Sequence, residues 1–178
     1  MFDPTIFENM KVALEGAVYD LDFAGEIAVI SRNDRVELST MSREYSIGYA
    51  DRKRGSGPKV TALLTLSAGA EDLAGEILEI AETDKRRFGC TLRIVFVMEI
   101  DSEDHCREIA AVLDSVWFYR PRIVQELSFI YSADREHRPY RNTITLNFDR
   151  KINEDNIDDL FSVIEHALRS LRMLAEVV

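Results

Sequence analysis

The sequence predicts an α+β fold: a mixed, mostly antiparallel sheet of about six strands covered by long N- and C-terminal helices, with one βαβ unit. Three observations predict it. The stretch Thr91–Met98, TLRIVFVM, places large apolar residues at both odd and even positions, the pattern of a strand with no wet face. Both ends of the chain carry apolar residues at helical spacing over many turns, and the segments between them alternate with period two. No repeat, low-complexity tract or long linker divides the chain, so residues 1–178 read as a single domain.

The first helix opens at Asp3 as N-cap with Pro4 at N1, where its missing N–H is harmless. Ile6, Phe7, Met10, Leu14, Val18 and Leu21 then keep helical register. Gly16 interrupts it, beside Ala13 and Ala17, a setting that predicts close approach of a neighbouring backbone. Gly25 ends the helix, and Glu26–Ser31 is a strand. Arg32-Asn33-Asp34 reads as a hairpin turn into a strand Val36–Met41; the alternative is a short helix, with Asp34 and Glu37 in capping-box spacing. Ser46–Ala50 is strand-like either way, and Asp51–Lys59 is a loop.

Val60–Ser67 alternates as a strand, and Ala70–Ala81 is a helix with Glu71 and Asp72 in its first turn. With Thr91–Met98 these form the βαβ unit, whose two strands are expected to run parallel. A helix from Ser102 to about Phe118 buries Cys106, Ile109, Leu113, Val116 and Trp117. Ile123–Ser132 and Tyr140–Asp149 form a hairpin with one wet face. The last helix starts after Asn153 and carries a heptad seam, Ile157, Phe161, Ile164, Leu168, Leu171 and Ala175. Leu160, Val163, Ala167 and Leu174 widen that seam to nearly half the circumference, more than the roughly 100° stripe a helix needs to lie on a sheet.

A formal charge of −10 argues against nucleic acid and anionic membrane as partners. No window reaches the roughly 18 apolar residues of a membrane span, and MFDPTIFENM lacks the basic and apolar regions of a signal peptide. Cys90 and Cys106 make no disulfide framework and read as packed thiols. The expected location is the cytoplasm.

No motif fixes a chemistry. Gly55-Ser56-Gly57-Pro58-Lys59 lies between two strands, Pro58 removes a donor, and no Ser or Thr follows Lys59, so it is no phosphate loop. His105 and Cys106 are adjacent on a helix and point about 100° apart, which disfavours one shared ion. His137 and His166 stand on no nucleophile or metal spacing. No catalytic residue, metal ligand or cofactor is assigned. Element order, small size and acidity together make the chain resemble the homodimeric chaperones of type III secretion and related bacterial sensory-regulator domains, leaving out the βαβ unit. The resemblance implies a homodimer that acts on another protein.

The first functional expectation is therefore a non-enzymatic, regulatory or chaperone-like domain that binds protein as a homodimer, with Val163, Ala167 and Leu174 as the interface. The alternative is a domain that binds or acts on a small anionic ligand at basic turns. Its candidates are Arg52, Lys53, Arg54, Lys59, Arg86 and Arg87, with Arg135, Arg138 and Arg141 nearby if the turns meet.

Overall fold

The computed structural model describes residues 5–52, 59–83, 87–131 and 139–177. The elements are α1 (Thr5–Phe23), β1 (Ile27–Glu37), β2 (Ser42–Asp51), β3 (Val60–Ala68), α2 (Ala70–Ile77), β4 (Thr91–Ile100), α3 (His105–Trp117), β5 (Arg122–Ser128), β6 (Tyr140–Asn147) and α4 (Ile157–Val177). A 3₁₀ turn, Glu154–Asn156, leads into α4. The six strands form one sheet in the order β1-β2-β3-β4-β6-β5, every neighbouring pair antiparallel. The α+β class, the six strands and the long terminal helices are those the sequence predicts.

The direction of β4 differs from expectation. Ser67 pairs with Thr91 and Val60 with Met98, so β3 and β4 are antiparallel neighbours and the unit between them is no crossover. Connection length explains this. A parallel return must travel back along a strand of about 30 Å, whereas the eight residues of α2 span only about 12 Å. The helix instead sits at the sheet end where β3 stops and β4 starts. Gly75 lets it close down on the Phe88 ring, because a Cβ there would lie 2.3 Å from that ring. Gly89, at φ +134°, then turns the chain into a bridge in which Cys90 and Ile152 exchange backbone hydrogen bonds.

The turn between the first two strands is also elsewhere. Arg32, Asn33 and Asp34 lie within β1, opposite Ile47, Ser46 and Tyr45, and residues 38–41 make the turn. Arg32 and Asp34 are accommodated in the strand because α1 supplies their partners. Arg32 pairs with Glu15, and Asp34 accepts from Lys11 Nζ at 3.0 Å. The expected caps Asp3 and Pro4 fall outside the described residues. Asn153 caps as expected: its Oδ1 accepts from Asp155 N–H at 3.1 Å, and its own N–H donates to Asn156 Oδ1 at 3.3 Å.

The helices α1, α3 and α4 share one face of the sheet. Leu92, Ile94, Phe96 and Met98 of β4 are buried there with Ile144 and Leu146 of β6, while Val95 and Val97 are only half-buried and Arg93 and Glu99 exposed. The doubly apolar pattern of β4 thus has one dry face, and the other carries no helix among the described residues. Within the helical layer α4 packs against both α1 and α3.

Candidate functional site

The surplus apolar face of α4 is consumed inside the chain. Ala167 and Leu174 are fully buried beneath α1 and α3, so neither offers surface to a partner as expected from the sequence. A helix flanked on two sides and floored by a sheet needs nearly half its circumference apolar. Val163 is different: it is half-buried and lines a groove.

That groove, about 600 Å³ and open to solvent, lies between the end of α3, the start of β4, the segment after β6 and the N-terminal half of α4. Its apolar walls are Leu92, Trp117, Phe118, Phe148, Ile152 and Val163. Arg120, Arg150, Asp149 and Asp159 stand at its rim. The helical spacing of Asp159, Ser162, Val163 and His166 aims all four at one side of α4, which explains why they share the groove.

Trp117 anchors the wall. Its indole N–H donates to Ser170 Oγ at 2.9 Å, and that hydroxyl donates to the His166 carbonyl at 2.8 Å. Its ring meets Phe148 edge-on at 5.5 Å and stacks at a tilt on His166 at 5.5 Å. His166 Nδ1 lies 2.6 Å from the Ser162 carbonyl, which fixes the proton on Nδ1 in the neutral ring and leaves Nε2 as an acceptor. The neighbouring Phe118 and Tyr119 are both left-handed, at φ 55° and 57°, and both exposed. Bulky side chains rarely take that conformation, and here it places one ring at the lip of the groove and a second next to it in sequence.

The two guanidinium groups differ in their ties. Arg150 reaches Asp159 at 3.8 Å, a loose exposed pair. Arg120 pairs with no carboxylate among the described residues. Beside this groove a smaller polar cleft, about 280 Å³, brings Arg87 together with Arg150 and Lys151, although Lys151 is held by Asp72 at 2.7 Å.

The described basic residues of these turns fall at two ends of the sheet. Arg87 lies by the start of β4. Arg52, Lys59 and Arg141 lie at the opposite end of the sheet, where Ala50 pairs with Thr61 and Val97 with Thr143. Arg52 is paired with Asp22 at 2.8 Å. Lys53, Arg54, Arg86, Arg135 and Arg138 lie outside the described residues. Neither cysteine faces the groove: burial pushes the Cys90 thiol up to about 12, and burial together with Glu103 raises Cys106. Among the described residues no three metal-ligating side chains cluster, and no helix is long and apolar enough to cross a membrane.

The sequence reading set His166 aside and missed Arg120, Arg150 and the exposed ring of Phe118. One local signal pointed at them: Trp117-Phe118-Tyr119 puts three aromatic residues in succession at a helix end, and a single helical stripe cannot bury all three. No family model, curated protein or solved structure matches the chain.

Proposed function

We propose that this domain binds a small ligand with a ring-sized apolar body and an acidic group, seated between α3 and α4. The observation that carries this reading is the aromatic groove itself, pinned by Trp117 and lipped by a left-handed Phe118, with Arg120 and Arg150 at its rim. Concave apolar surface with a few convergent polar groups is what small-molecule sites are made of. The body would lie against Trp117, Phe148 and Val163. The acid would meet Arg150 and Arg120, and a ligand donor would find His166 Nε2. Two free cysteines, one fully buried, support a reducing compartment such as the cytoplasm.

The test is a titration with 1-anilinonaphthalene-8-sulfonate, which combines an aromatic body with an anion. Trp117 is the only tryptophan, so its emission reports directly on the groove. Saturable one-to-one binding that changes Trp117 emission is expected. Arg150→Glu should weaken it about tenfold or more, which is ~1.4 kcal/mol or more. Binding without a Trp117 response, or indifference to Arg150→Glu, would place the ligand elsewhere.

A further inference from the structure

The face of the sheet that carries no described helix has a charge pattern of its own. Across its middle, Leu63 of β3 pairs with Val95 of β4, Val95 with Thr145 of β6, and Thr145 with Val124 of β5. One step toward the start of β4 stand Arg93 and Arg122; one to two steps the other way stand Glu126 and Glu99. None of these four has an opposite charge within ion-pair distance among the described residues. On the helical side of β1 and β2 the charges are paired, as in Arg43 with Glu8 at 2.6 Å and Asp34 with Lys11 at 3.0 Å.

A chain of charge −10 repels a second copy over most of its surface. This face is the exception. Its arginines, which also include Arg35 and Arg141, are balanced by as many glutamates, Glu37 and Glu44 completing the set. Apart from Leu63 its middle is made of β-branched residues, Val95, Thr145 and Val124, so another sheet can approach to the ~10 Å of face-to-face packing. Six strands of this length present a plane on the order of 700 Å², close to the ~800 Å² per partner of a stable interface.

We propose that two copies of the chain stack these faces about a twofold axis lying across the strands along the Leu63–Val95–Val124 row. Rotation about that row reverses the strand direction. Arg122 then comes to lie over the partner's Glu126, and Arg93 beside the partner's Glu99, while Val95 meets its own counterpart. Self-complementarity of this kind is what a twofold interface demands. The proposal is independent of the groove, which opens on the helical side.

The mass of the whole chain by light scattering and sedimentation, from about 1 to about 100 µM, is the test. A concentration-dependent dimer is expected. Val95→Glu and Glu126→Arg should each raise the dissociation midpoint at least about tenfold while far-UV circular dichroism stays unchanged. The double variant Arg122→Glu/Glu126→Arg exchanges the two charges and should restore the dimer. Should Val95→Glu fail to fold, exposed Glu126 keeps the test alive. One chain's mass over the whole range overturns the proposal, whatever else covers the face. So does a dimer indifferent to Glu126→Arg, or one that the double variant does not restore.

Discussion

At the scale of single residues, two backbone conformations carry opposite lessons. Phe118 sits at φ 55°, a left-handed position that disfavours any side chain with a Cβ by roughly 1–2 kcal/mol. Glycine would relieve that strain but lose more freedom on folding, about 0.5–1 kcal/mol. Phe118→Gly should therefore leave stability within about 1 kcal/mol of the wild type while stripping one ring from the groove. Denaturant midpoints should barely move and anilinonaphthalene binding should weaken; a large stability loss with unchanged binding would make Phe118 a structural residue only. Gly16 shows the reverse. A Cβ built there meets nothing within 4 Å, so the close neighbour predicted from its small flanking residues is absent among the described residues. Gly16→Ala should stabilise α1 by about 1 kcal/mol, read as a higher unfolding midpoint.

At the scale of elements, the outer half of β1 is fixed to α1 by charge. Burial opposes ionisation of Asp34, yet hydrogen bonding and charge from Lys11, then Arg43, outweigh it and hold its carboxyl below the usual range. A carboxylate depressed in this way contributes stability above its unfolded value, and that contribution is lost as pH falls through the folded value. Asp34→Asn should therefore lower stability at pH 7 by something on the order of 1 kcal/mol and flatten the acid decline below about pH 4. Urea midpoints against pH for both proteins check it; parallel curves would remove Asp34 from the tie. The same tie explains why β1 was hard to read. Arg32-Asn33-Asp34 has the composition of a turn, and what keeps it extended, pairing with β2 and the acids and bases of α1, lies outside the local sequence. By contrast the long terminal helices and β4 were legible because their periodicity is local. The direction of β4 was not, since it depends on where a short α2 can put the chain down.

At the scale of the whole molecule, the groove was illegible for a plain reason. Leu92, Trp117, Phe148 and Val163 come from four separate segments and meet only when the fold is complete. The width of the α4 apolar face was legible, but what covers it was not, because sequence gives hydrophobic area without its neighbour. The structure transfers that face from an external partner to α1 and α3, and leaves the side of the sheet that carries no described helix as the surface on which association is argued. The placement of α4 has one more consequence. Synthesis proceeds from α1 onward, so the strand and helix surfaces it seals stay wet until residues 157–177 leave the ribosome. Nascent chains stalled short of that point would carry an unroofed core, and would be clients for holdase capture or degradation and not soluble fragments.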